Sequence, residues 1–345
     1  MNTDIKAIIN SEFYRFLMSI TKAQVNHIRK LFGCGTDVQS NLNKQMMIIG
    51  VADYILSESE TWMRKLPCSE IQIIDEILQH KPLTQVEIGC WPYPLIIEDY
   101  GMVEVKRDEG NNCTVIADKY MYDAFRHGIG NAMDFIVAKD IVPYEVITRG
   151  VYGVYGAVPT ELMYDILKSA EPGISAKSGY YSLQPSHLTY ICESLFLNNY
   201  RVELDGVSYF VNPAIYNPEM IIREQMSRSD LDYRRYTITQ LMDAGKEPPF
   251  CVTGMGLPQS KALLREYRKY IGVDFDEVLD YDFLFTLAQE SPNALAHHVC
   301  QEIMFPSVEA TNAFLGKVTD FSNHIPHWKL KGWSPMELLE SQRRK

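Results

Sequence analysis

The dipeptide Asp205-Gly206, set between two alternating runs, constrains this chain more than any other feature. Both central residues of a type I′ turn need positive φ, and Asp-Gly supplies them. That turn fixes a register pairing Leu204 with Val207, Val202 with Tyr209 and Tyr200 with Val211 on one face. Arg201 and Glu203 then point outward. Alternation and turn chemistry agree, so a hairpin is predicted over 200–211. A helix over 186–198 leads into it. A second hairpin is predicted from Met102–Lys106 and Cys113–Ile116, across the polar loop Arg107–Asn112. Helices feeding a short ribbon are how winged-helix modules are built.

The remaining pattern is helical. Apolar spacing predicts a helix from Asp4 to Met18, and Thr21-Lys-Ala-Gln24 forms a capping box for the next. Gly33 and Gly35 end that helix, and Asn43 opens another running to Leu56. Ser69-Glu-Ile-Gln72 reads as a further capping box, and a helix is predicted over 118–138. A helix from Thr160 to Ser169 should stop at the turn Glu171-Pro-Gly173. Beyond Asn217 helices are predicted over 218–227, 229–244, 260–270, 275–290, 292–303 and 308–321. Ser334-Pro335 supplies an N-cap and first helical residue for a last helix, 336–341. The fold class expected is mainly α with small antiparallel β-hairpins: winged-helix-like units plus a helical C-terminal region. The boundaries expected are 1–60, 61–140 (winged-helix-like), 141–215 (a second such unit) and 216–345.

Composition narrows the class. With 345 residues, 46% hydrophobic and 22% charged, the chain reads as a multi-unit globular protein. It has no apolar run of membrane-spanning length, and its first residues lack a signal-peptide pattern, so a cytoplasmic protein without membrane contact is expected. Seven scattered cysteines without a Cys-x-x-Cys pair fit a reducing compartment. The net charge of −11 disfavours indiscriminate phosphate binding, yet permits a local basic face.

Residues 21–56 resemble the helix-extended-helix element of transcription termination factor Rho and SAP-type modules. The features carrying the resemblance are the capped helix from Thr21, the Gly33-Cys-Gly35 break and Asn43-Lys44. The tail has Asn323, then Pro326-His-Trp328, then Gly332-Trp-Ser-Pro335-Met-Glu337-Leu338. It resembles a pattern in uncharacterised bacterial proteins, some of which carry an added SEC-C metal-binding motif. No C-terminal cysteine cluster is present here, so no SEC-C site follows. For the Rho and SAP elements, the resemblance implies nucleic acid as the partner.

Nine basic residues are therefore the candidate nucleic-acid contacts: Lys22, Arg29, Lys30, Lys44, Arg201, Arg223, Arg228, Arg234 and Arg235. Tyr233, Tyr236, Trp328 and Trp333 interleave and, if exposed, are suited to stacking on bases. The alternative for all of them is solvated charge and packed aromatics. His297, Cys300, His324 and His327 leave open whether a metal set converges, but their spacing matches no standard zinc motif, and no metal or cofactor is expected. Gly128-Ile-Gly130, Gly150-x-x-Gly153-x-x-Gly156 and Gly254-Met-Gly256 lack the context of a phosphate loop and read as turns and close helix approaches. Neither Gly-x-Ser-x-Gly nor His-Glu-x-x-His occurs. The function expected is non-enzymatic and regulatory: nucleic-acid binding through the hairpin units, or, as alternatives, a protein-interaction scaffold or an enzyme with an unfamiliar site.

Overall fold

The structure, a computed structural model, describes residues 5–34, 38, 41–90, 95–108, 112–139, 142–178, 201–245, 254, 256–272 and 275–343. The predicted helix over 186–198 and Gly35 lie outside the described residues. The protein is mainly helical, with two small antiparallel sheets among the described residues. Its contacts gather into two compact units, 1–145 with 175–199 and 146–174 with 200–345. The expected boundaries at 60 and 215 fall inside them.

In the first unit the predicted N-terminal helix is two, α1 (Ile5–Asn10) and α2 (Glu12–Ser19). Ser11 interrupts them: its hydroxyl donates to Ile8 O at 2.8 Å and accepts from Tyr14 N. A buried serine that closes one helix and caps the next outweighs the apolar periodicity. Helix α3 (Lys22–Phe32) opens on the Thr21/Gln24 capping box and ends at Gly33, and α4 (Lys44–Ser57) is capped by Asn43. The short α5 (Ser59–Trp62) and a 3-10 turn lead to α6 (Cys68–Leu78). Ser69 does not cap α6. The helix begins one residue earlier, and Cys68 N donates to the Glu145 carboxylate, 77 residues away, at 2.8 Å. Strand β1 (Val86–Cys90), the four-residue α7 (Ile96–Asp99), β2 (Glu104–Arg107) and β3 (Asn112–Ile116) follow. The sheet order is β1-β3-β2, so the predicted hairpin forms with a third strand added. Helix α8 (Lys119–Lys139) packs on α4, α5 and α6, and Trp62 at the centre meets Phe32 and Phe125 edge-on.

Helix α9 (Val142–Tyr155) carries the chain into the second unit. Strand β4 (Ala157–Pro159) precedes α10, which runs from Thr160 to Ser178. The turn expected at Glu171-Pro-Gly173 is thus absent. Proline removes one ladder hydrogen bond, and the turns already formed from Thr160 supply the nucleus that carries the helix past it. Strands β5 (Arg201–Leu204) and β6 (Val207–Val211) pair in the predicted register, with Asp205 at φ 51° and Gly206 at φ 81°. Tyr200 lies outside the described residues. Strand β4 joins β6 on its other side. The rest is α11 (Pro218–Ser227), α12 (Ile238–Gly245), α13 (Pro258–Ile271), α14 (Glu277–Glu290), α15 (Pro292–Glu302), α16 (Val308–His324) and α17 (Pro335–Arg343). The helix predicted over 229–244 starts only at Ile238, on a Thr237/Gln240 capping box. Residues 228–236 have no helix because their backbone bonds go elsewhere, as described below.

The three glycines at 150, 153 and 156 have separate duties. A Cβ on Gly150 would overlap the Leu241 carbonyl, so α9 and α12 meet backbone to backbone. Gly153 O accepts the Trp328 indole N–H at 3.0 Å. Gly156 takes φ 67° to turn from α9 into β4, with the Trp328 ring where its Cβ would stand. Gly156→Ala therefore meets both strain and overlap, and should cost about 2–3 kcal/mol or more. Urea denaturation followed by tryptophan fluorescence reads the loss.

Candidate binding interface

Four of the nine candidate basic residues lie in the first unit and five in the second, so each set is described by itself. In the first, Lys22 and Lys30 are exposed at opposite ends of α3, with no acidic partner among the described residues. Arg29 is tied inward, donating to Asn26 Oδ1 and Val38 O, both at 3.0 Å. Lys44 donates to Met18 O at 2.9 Å, at the end of α2. On the hairpin, Arg107 forms a two-pronged pair with Glu98 at 2.5 Å, and Lys106 stands 3.5 Å from Glu104. Cation and anion cancel along that ribbon.

The second unit commits its arginines further. Arg201 donates to the Ser208 hydroxyl across the hairpin, and Arg223 reaches Asp205 at the hairpin turn at 3.6 Å. Arg228 grips Asp230 through two bonds of 2.9 and 3.0 Å. Arg234 pairs with Glu337 at 2.5 Å, and its guanidinium lies over the Tyr236 ring at 4.3 Å and near Trp333 at 5.9 Å. Arg235 is exposed, with no acidic partner among the described residues.

The aromatics expected to stack on bases are engaged as well. Trp328 is 2% exposed and meets Phe285. Tyr233 and Tyr236 pack edge-on against Tyr155 at 5.5 and 5.7 Å. Trp333 donates its indole N–H to Asp232 O at 2.9 Å.

These bonds belong to one device. Residues 228–236 form an irregular strap clamped by the C-terminal tail. Lys331 Nζ donates to Arg228 O and Leu231 O at 2.8 and 2.7 Å, and Lys331 O accepts from Arg234 N. Tyr155 OH takes Arg234 O, and Tyr236 OH takes Gly332 O. The tail closes on itself through His327 N to Trp333 O and a Ser334/Glu337 capping box. Pro326, Trp328, Gly332, Glu337 and Leu338 of the sequence pattern thus each have a hydrogen-bond partner.

Sequence reasoning missed the group at the centre, Gln225. Its amide is buried on α11 and donates to Tyr155 O, Ala157 O and Trp328 O at 2.9, 3.1 and 2.8 Å, while Oε1 accepts from Tyr233 OH. The available signal was one polar residue in the apolar stripe Ile221, Ile222, Gln225. Gln289 does similar work, donating to Pro326 O and accepting from Trp328 N.

No three His, Cys, Asp or Glu side chains gather as metal ligands among the described residues. His327 is buried, with Nε2 2.6 Å from Ser322 O, and burial holds it below the usual histidine range. His324 turns to Asp320, His298 lies against Phe283, and Cys300 is exposed. Burial pushes the Cys34 thiol up to about 12, which keeps it protonated and inert as a nucleophile.

One outward surface of the second unit is the far side of α11. A shallow depression of about 500 Å³ is lined by Asn217, Glu219, Met220, Arg223, Glu224 and Ser227. Met220 and Met226 are 41% and 45% exposed, and Tyr216 just before the helix is fully exposed. Comparison with known protein families, with curated proteins and with solved structures finds no match.

Gln225→Leu should remove the shared donor from Tyr155 O and Ala157 O, Trp328 O keeping its bond from Lys331 N, and destabilise the second unit by about 2–3 kcal/mol. A lowered urea midpoint with retained far-UV circular dichroism checks it.

Proposed function

We propose that this chain is a non-enzymatic binding protein that engages a protein partner through the second unit, around β6 and the outer side of α11. The observation carrying this reading is the apolar exposure at Val207, Tyr216, Met220 and Met226, within one sheet-and-helix segment whose Arg223 and Arg228 already pair with Asp205 and Asp230. Exposed apolar groups rimmed by charge mark contact surfaces. Buried free thiols at Cys34, Cys68 and Cys113 fit a reducing, cytoplasmic setting. No described helix is long and apolar enough to cross a membrane.

Nucleic-acid contact is the second reading. It rests on exposed Lys22, Lys30 and Arg235, on the helix pair 21–56, and on winged-helix-like use of the β2–β3 ribbon. The net charge of −11 and the paired arginines weigh against it.

A photo-crosslinking residue placed at Tyr216 should give one stoichiometric protein adduct in cells, lost when Met220→Glu is added. Nucleic-acid adducts, or binding to DNA or RNA whose affinity falls steeply from about 50 to 200 mM salt, would favour the second reading instead.

A further inference from the structure

Among the described residues β5 is an edge strand, since its sheet runs β4-β6-β5. The phase of its backbone can be read from the far side of β6. Ser208 O accepts from the Thr160 hydroxyl, and Asn212 N donates to Gly156 O, so the even residues of β6 turn toward β4. Val207 and Tyr209 therefore turn toward β5, where they pair with Leu204 and Val202. That alternation leaves Arg201 and Glu203 with their N–H and C=O groups directed away from the sheet. Those groups have no other partner among the described residues.

The side chains on this edge are self-complementary. Arg201 and Glu203 are exposed on one face, while Val202 and Leu204 turn to the other and pack with the core. Arg201 gives its Nε–H to the Ser208 hydroxyl, which leaves both terminal nitrogens available, and Glu203 has no basic partner among the described residues. Edge strands usually carry charge that repels a second strand. Here the two charges are unlike and two residues apart. An antiparallel second copy with Val202 on the two-fold axis sets Arg201 opposite Glu203 of the partner subunit, twice over. The outward backbone groups belong to the same two residues, so hydrogen-bond phase and charge choose one register. It forms four N–H···O=C bonds and two unlike pairs. A register centred on Arg201 or Glu203 would oppose like charges.

We propose that β5 is a contact between two copies of this chain, which join their three-stranded sheets edge to edge, antiparallel about Val202. The proposal does not depend on what binds the outer side of α11. A two-fold axis normal to the sheet keeps both α11 helices on the same face, so each half stays packed as it is in one copy. One short strand makes a small interface, and the dimer it forms is weak and concentration-dependent.

Sedimentation equilibrium of the intact chain tests this. From about 1 μM to 1 mM the mass should climb from one copy toward two. Arg201→Glu and Glu203→Arg, each alone, should weaken association roughly tenfold or more, because both facing pairs become like-charged. Mixed together, the two variants should associate again, since every carboxylate then meets a guanidinium. Val202→Cys should give a disulfide-linked dimer on mild oxidation that the wild type does not, because opposite residues of a non-hydrogen-bonded pair stand about 4.5 Å apart at Cα. A wild type that stays monomeric, a dimer that neither swap weakens, or a mixture that does not associate overturns the proposal. Should a swap fail to fold, the Val202→Cys link decides, and its absence overturns the proposal too.

Discussion

Three backbone carbonyls, from Tyr155, Ala157 and Trp328, converge on one buried amide, that of Gln225. Each would lose its water on burial and cost about 1–3 kcal/mol if left unpaired. The α9–β4 junction and the C-terminal tail are far apart in sequence, yet they share this donor. Trp328 can enter only because Gly156 leaves room and because Gly153 receives its indole N–H. Gln289 then fixes the Trp328 backbone from the opposite side. Hydrophobic burial of the indole and polar satisfaction around it depend on each other, which is why the tail is part of the core rather than an appendage.

That arrangement decides what the charged residues can do. An acidic chain with many arginines invites the idea of a basic binding face, but a guanidinium has five donors and suits intramolecular stapling equally well. Arg234 shows the outcome most fully, with a carboxylate, a phenol hydroxyl and two aromatic rings around it. A phosphate competing for it would have to displace Glu337 and free the strap. Exposed pairs such as Arg223 with Asp205 are weaker, worth about 0–1 kcal/mol, and open more readily to a partner. The outer side of α11 therefore keeps adaptable charge beside apolar surface.

Local signals were readable where local bonds decide. The Asp205-Gly206 turn, the Thr21 box, the Asn43 cap and the Ser334-Pro335 helix start form as their residues dictate. Strands β1 and β4 were not legible, since five and three residues carry too little alternation and exist by pairing with β3 and β6. Residues 229–236 have helical composition, yet their carbonyls are taken by Lys331, Trp333 and Tyr155. Ser69 resembled a cap because the real acceptor, Glu145, is remote in sequence. Of the candidate interface, the residue types were correct as surface chemistry, but sequence carries no record of which arginine already has a carboxylate beside it.

The two units also differ in how their buried polar groups respond to protons. Gln225 and Gln289 cannot ionise, so the bonds that organise the second unit's core are indifferent to pH. Among its buried titratable groups is His327, which burial holds below the usual histidine range. A histidine lowered in the fold contributes stability above its free value of about 6.5 and loses it as pH falls. At Glu70 in the first unit burial acts in the other direction, raising the carboxyl, while its two backbone N–H bonds oppose. An ionised carboxylate there offers one oxygen to each of two backbone N–H groups, whereas protonation would turn one of those acceptors into a donor.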